Sequence, residues 1–221
     1  MQNEKLTLIY TYFGQSERIP DIIKEKHPDC RVIIIDDHSS VPLKIDPPAE
    51  GIEIYRITDD LGYNVVGARN LGFSLVDPDS SVICADIDHL VTHINIEQIL
   101  KLKKEQGTVY YLGRDSAYDI WNLYLIHIAD FNKVGGYNND FISHYGYDDL
   151  LFRDMCNELL KVVEVRDIKV KDYSEISHTK GLDRNFDRNK QIYETLKNYL
   201  KETPVKINLN NSIFFNWQRV Q

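Results

Sequence analysis

Several features are scarce in this 221-residue sequence, and each scarcity removes a class of protein. No run of about 18 apolar residues occurs, so no membrane span is expected. The three cysteines, Cys30, Cys84 and Cys156, are odd in number, widely spaced and form no CxxC. Neither a disulfide framework nor a zinc knuckle is expected, and reduced thiols in a cytosol-like compartment fit best. Basic residues are outnumbered, 26 Lys and Arg against 34 Asp and Glu, for a net charge of -8. That balance disfavours nucleic acid or an anionic membrane surface as the main partner. The opening MQNEKLTLIYTYF has no basic segment followed by a long apolar one, so a cytoplasmic location is expected. Without a secretory signal, the sequon Asn210-Asn211-Ser212 reads as chance. Internal repeats, low-complexity stretches and linkers are all missing, which makes one domain the economical reading.

What is present is an ordinary globular mixture, 43% apolar, 27% charged and 11% aromatic. The first half alternates strand and helix patterns. Residues 6–12 (LTLIYTY) are β-branched and aromatic, suiting a first strand. Ser16 is placed to cap a helix running to about residue 27, with Pro20 near its first turn. The unbroken apolar run 32–35 suits a strand buried on both faces of a parallel sheet. Further strands are predicted at 52–57, 81–85, 108–112 and about 162–167. Helices are predicted at about 63–76, 95–105 (capped by Asn95), 148–160 and 184–200. This order predicts an α/β, doubly wound sheet with right-handed crossovers, whose ligands bind beyond the carboxyl ends of the strands.

Two of those strand ends carry paired acids. Asp86-Ile87-Asp88 follows the buried run VICA, and two carboxylates one residue apart can offer oxygen ligands to a hard divalent cation. Asp36-Asp37-His38-Ser39 follows VIII, although Asp and Ser are also common turn formers. Between them lies GARNLG, whose Arg69 reads in isolation as a surface helix charge. In the second half, VGGYNNDFISHYGYDDLLFRD places Asp148 and Asp149 at the start of a helix, where they either cap it or do chemistry. The helix dipole is expected to keep a carboxylate there ionised. His89 and His93 form an i, i+4 pair with no HExxH to support a zinc site. Trp121, Tyr145 and Tyr147 flank the acids and could pack on sugar CH faces.

Taken in order, DDxS, ARNxG and DxD resemble the nucleotide-sugar-binding half of GT-A fold glycosyltransferases, especially inverting family 2. The GGY…GYDDL segment is similar to the acid motif of family 2, β-1,4-galactosyltransferase-like and N-acetylgalactosaminyltransferase-like domains. The resemblance covers roughly residues 5 to 180. It implies a single GT-A domain over 1–203, a Rossmann-like mixed sheet flanked by helices, with residues 204–221 as a tail packed on it or extended. It further implies that Thr11, Asp37 and Arg69 contact the base and ribose of the donor and that Asp86 faces the ribose. Asp88 would face Mn²⁺ or Mg²⁺, with His178 as a further metal ligand. Asp149 stands at the catalytic base. Asp148, where the family has the longer Glu, stands at the acceptor-holding position.

The implied activity is inverting transfer from a nucleotide-sugar, a UDP-sugar by expectation, to a hydroxyl of an acceptor glycan. A retaining transferase and a non-catalytic nucleotide-sugar- or glycan-binding module on the same fold are the alternatives. A nucleotidyltransferase would need a glycine-rich phosphate loop after the first strand, and YTYFGQSERIP has a single glycine.

Overall fold

The computed structural model describes residues 5–25, 27–115, 121–173, 185–202 and 211–221. Its centre is four parallel strands: β1 (Lys5–Tyr12), β2 (Arg31–Asp37), β3 (Ile52–Ile57) and β4 (Ser80–Asp86). They pair in the order β3-β2-β1-β4. Ile33, Ile34 and Ile35 are fully buried, as expected of a strand covered on both faces. A short 3-10 turn at Ser16–Arg18 and α1 (Ile19–Lys24) connect β1 to β2. Ser16 does not cap this helix as expected, since the 3-10 turn begins after Gln15 with no side-chain cap. Pro20 sits in the first turn of α1, where its missing N–H costs nothing.

Helix α2 (Val65–Ser74) lies against the sheet and carries the GARNLG segment. Asn64 caps it by accepting the Gly67 N–H. A Cβ on Gly72 would come within 2.6 Å of Ile9 Cγ2, so a glycine there lets the helix approach the strand closely. The two-residue β5 (His89–Leu90) and α3 (His93–Lys101) follow. The cap of α3 is Thr92 rather than Asn95. Asn95 is its third residue and completes a reciprocal capping box with Thr92.

The second half extends the same sheet with β6 (Thr108–Arg114), β7 (Tyr124–His127) and β8 (Lys161–Asp172). The whole order is β5-β8-β6-β7-β4-β1-β2-β3-β9. β7 was not foreseen in the sequence, and it runs antiparallel between β4 and β6. This restores a common direction to β4, β6 and β8, so all their carboxyl ends meet at one sheet edge. Also unforeseen is α4 (Ile128–Val134), which packs Phe131 flat on Phe73 of α2 at 3.6 Å between ring centres. Helix α5 (Asp148–Leu159) and α6 (Asp187–Glu202) complete this half. Near the C-terminus, β9 (Trp217–Arg219) adds antiparallel to β3. No helix among the described residues is long and apolar enough to cross a membrane.

Candidate active site

The carboxyl ends of β1, β2, β4, β6 and β8 carry the polar residues. Thr11 and Asp86 are register neighbours on β1 and β4, and Thr11 Oγ1 donates to Asp86 Oδ1 at 2.6 Å. At the end of β2, Asp36 is fully buried and accepts from Ser39 N, Leu43 N and Arg56 Nη1, which makes it structural. Its neighbour Asp37 accepts only the Asn64 N–H, at 2.7 Å, among the bonds seen. Burial pushes the Asp37 carboxyl up from 3.8 to about 7, partly offset by Asn64, with the Asp36 and Asp60 charges adding to the rise.

A titration prediction follows from Asp37. Its folded-state value lies above the unfolded one, so its contribution favours folding below about pH 4 and is lost as pH rises through about 7. Asp37→Asn is therefore expected to raise the melting temperature at pH 8 and leave it nearly unchanged at pH 4. The same variant should weaken UDP and uridine binding alike if Asp37 belongs to the base pocket. Equal melting gains at both pH values, or weakening of the intact sugar donor alone, would count against these assignments.

Arg69 is the hub of the site. It is 1% exposed, which removes the reading of a surface charge. Its Nη2 donates to Asp86 Oδ1 at 2.9 Å, and its Nη1 to Asp148 Oδ2 at 2.9 Å and Asp149 Oδ1 at 2.5 Å. The guanidinium also lies 4.9 Å from the centre of the Tyr137 ring. Burial works against its charge, but Asp149, Asp86, Tyr137 and Asp148 together hold its pKa well above the ordinary value. The side chain points into these carboxylates, one of which, Asp86, is the residue expected at the donor ribose.

Asp148 and Asp149 occupy the first turn of α5 but do not cap it. The cap position is Tyr147, at a left-handed φ of 68°, with no side-chain cap bond. Nor does the helix dipole keep Asp149 low. Burial and the nearby Asp148 and Asp86 charges outweigh Arg69 and push it up to about 7. Its side chain keeps 24% of its surface open, so solvent tempers that rise. Burial likewise raises Asp148 against the pull of Arg69. Asp86 is the exception: burial acts upward, yet Arg69, His89 and Thr11 hold it below the ordinary carboxylate range.

The GGY segment is fastened to α2 by Asn70. Its Nδ2 donates to the Tyr137 carbonyl at 2.8 Å, and its Oδ1 accepts the Tyr137 N–H at 2.9 Å. Gly136 has a φ of 69°, and a Cβ there would meet Asn70 Oδ1 at 3.0 Å. This explains why the asparagine of ARN and the second glycine of GGY belong together. Asp140 is exposed and its backbone and carboxylate are engaged by Asn138, away from Arg69. Tyr145 packs on Tyr63 at 5.5 Å between ring centres, and Tyr147 on Tyr193 at 5.4 Å. Trp121 meets Tyr111 edge-on at 4.8 Å and lies under Arg153.

A second polar layer went unnoticed in the sequence. Asn122 bridges Arg114 and Asp86, accepting from the first and donating to the second. Arg114 Nη1 lies 3.7 Å from Asp172 Oδ2. His89 and Asp172 are register partners of β5 and β8. No local spacing announces this layer, because its members come from β4, β5, β6, β8 and the loop before β7.

Asp88 Oδ1 is buried and makes no hydrogen bond to a described residue. Burial, with the Asp86 and Asp172 charges, pushes Asp88 up to about 7. Five carboxylates (Asp86, Asp88, Asp148, Asp149 and Asp172) share this edge with two guanidiniums, Arg69 and Arg114. Such an excess of negative charge fits a divalent cation beside Asp88. Among the described residues, no three His, Cys, Asp or Glu side chains are already gathered as a cation cage. His178, the other expected ligand, lies outside the described residues. A groove of about 1250 Å³ opens at the opposite, amino-terminal edge of the parallel strands. Lys5 and Arg31 in its lining are already paired with Asp77 and Glu53, so it makes no comparable demand for a ligand.

No protein-family model matches the sequence, and no curated protein matches it either. Solved structures do. The catalytic domain of Drosophila β1,4-galactosyltransferase 7, in complex with xylobiose, superposes with a TM-score of 0.57 at 12% identity. The match covers 85% of this chain and 78% of that one. A mutant of the same enzyme with manganese, UDP-Gal and xylobiose gives 0.56 at 12% identity, over 85% and 79% of the two chains. GalNAc-T7 with UDP, GalNAc and Mn²⁺ gives 0.61 at 14% identity and covers 91% of this chain, which spans about half (48%) of that longer one. With acids collected at the carboxyl edge of a 3-2-1-4 parallel core and an antiparallel strand inserted beside it, the chain has the fold of the GT-A glycosyltransferases.

Proposed function

We propose that this chain is an inverting glycosyltransferase that moves a sugar from a UDP-sugar to a hydroxyl of an acceptor glycan. One observation carries the reading: the strand-end acid Asp86 and the acid pair Asp148 and Asp149 converge on a single buried guanidinium, Arg69. This puts a donor-side group and a candidate base about one side chain apart, as group transfer between two bound substrates needs. The ligands of the similar structures, UDP-Gal, UDP and manganese, support the same choice of donor. Residues 1–203 form the transferase domain in this reading, with 204–221 as its tail.

Thr11, Asp37 and Arg69 contact the donor's base and ribose, and Asp86, which bonds to both Thr11 and Arg69, faces the ribose. Asp88 and His178 would hold Mn²⁺ or Mg²⁺, which offsets the charge developing on the diphosphate leaving group. Asp149 accepts the proton of the acceptor hydroxyl as that oxygen attacks the anomeric carbon from the face opposite the nucleotide. Asp148 keeps the acceptor in line. The sugar passes through an oxocarbenium-like transition state. A base with a pKa near neutrality suits this work, since near neutral pH a good share of it is free to accept a proton while it remains basic enough to take it.

UDP is expected to bind far more tightly with Mn²⁺ or Mg²⁺ than in EDTA, and Asp88→Ala to remove most of that difference. Calorimetry giving equal affinities in both conditions would sink the cation's role. The anomeric configuration of the product decides between inversion and retention.

A further inference from the structure

The carboxylate proposed to meet the cation has an unusual neighbour. His89 is 1% exposed, and neither of its ring nitrogens hydrogen-bonds to a described residue. Its Nδ1 lies 3.5 Å from Asp88 Oδ1, the buried oxygen that also lacks a partner. Its Nε2 lies 3.8 Å from Asp172 Oδ1, and the other Asp172 oxygen is near Arg114. Two buried polar groups facing each other slightly beyond bonding distance each carry a desolvation cost that one hydrogen bond between them would relieve.

The backbone makes that closure short. His89 pairs with Asp172 in the β5–β8 ladder, and the Tyr173 N–H donates to the Asp88 carbonyl at 2.8 Å. The Asp88–His89 turn is thus strapped to the end of β8, and only side-chain rotation remains free. An imidazole in this place can donate to one oxygen of Asp88 and leave the other for a cation.

Building on the proposed function, we infer that His89 is a positioning residue for the cation site, fixing the rotamer of Asp88 through an Nδ1–H bond. Its ring belongs to the hydrogen-bonded shell behind a metal ligand, where substitutions typically weaken metal affinity ~10–100-fold.

The test titrates Mn²⁺ into the full chain saturated with UDP, for wild type, His89→Phe and His89→Asn, with melting temperatures alongside. Phe keeps the ring shape without a donor, whereas Asn places an amide N–H near the position of Nδ1. Mn²⁺ affinity is expected to fall at least ~10-fold in His89→Phe and to stay within a few-fold of wild type in His89→Asn. A packing role predicts the reverse order, and that result overturns the inference, as does wild-type affinity in a folded His89→Phe. Should His89→Phe fail to fold, a tenfold loss in His89→Asn overturns it equally. If wild-type UDP binding ignores Mn²⁺, the proposed cation falls first and this inference falls with it.

Discussion

Asp149→Asn is expected to bind the UDP-sugar with near-native affinity and to transfer sugar at least ~10²-fold more slowly. Asparagine keeps the shape of the side chain and can still accept from Arg69, so the 2.5 Å contact survives as a weaker bond. What disappears is the proposed proton acceptor. Positioned general bases are worth about 10²–10⁴-fold, and loss of the only base belongs at the high end of that range. The wild-type rate should climb as pH rises through about 7, where Asp149 loses its proton, and level off above it. Asp148→Asn should mainly raise the acceptor KM, as its proposed role of keeping the acceptor in line requires. Single-turnover rates set beside donor affinities separate the two effects. If Asp149→Asn transfers within a few-fold of wild type, the base moves to Asp148. Asp140 is a poorer substitute, because it is exposed and turned to Asn138.

Arg69→Met should be the most damaging single change to stability. It keeps most of the stem and deletes the cation shared by Asp86, Asp148 and Asp149. Removing one partner of a buried ion pair costs about 3–5 kcal/mol, because the other charge is left buried and alone. In a chain of this size that corresponds to a melting temperature lowered by roughly 6–20 °C. The loss should also depend on pH. Without the guanidinium, Asp148 and Asp149 rise further above their unfolded values and Asp86 loses the main charge that holds it low, so the variant loses stability relative to wild type as pH increases. Melting is therefore expected to be nearer wild type at pH 5 than at pH 8. Arg69→Lys should recover little, since one ammonium cannot match a planar fork directed at three acids. A melting temperature unchanged at pH 8 in Arg69→Met would show that the acids do not need their counterion.

The sequence alone determined the parallel core and the edge that bears the site. A strand covered on both faces must be largely apolar at consecutive positions, so IYTY, VIII and VICA declare themselves, and the acids that end the last two mark the carboxyl edge. The reasons for glycines 72 and 136 come from the packing, a close approach to Ile9 and a left-handed φ beside Asn70. Tertiary structure alone decided the rest. Strand β7 has four residues and α4 seven, too short for any period to emerge, and pairing with β4 and β6 makes the strand. The partners of Arg69 stand 17, 79 and 80 residues away, and Asn122 stands 36 from Asp86. Pattern along a chain encodes which face a residue takes, since that depends on local geometry. Which buried charges meet, and hence which carboxylates are lowered, raised or left without a partner, depends on contacts that form only when distant elements pack.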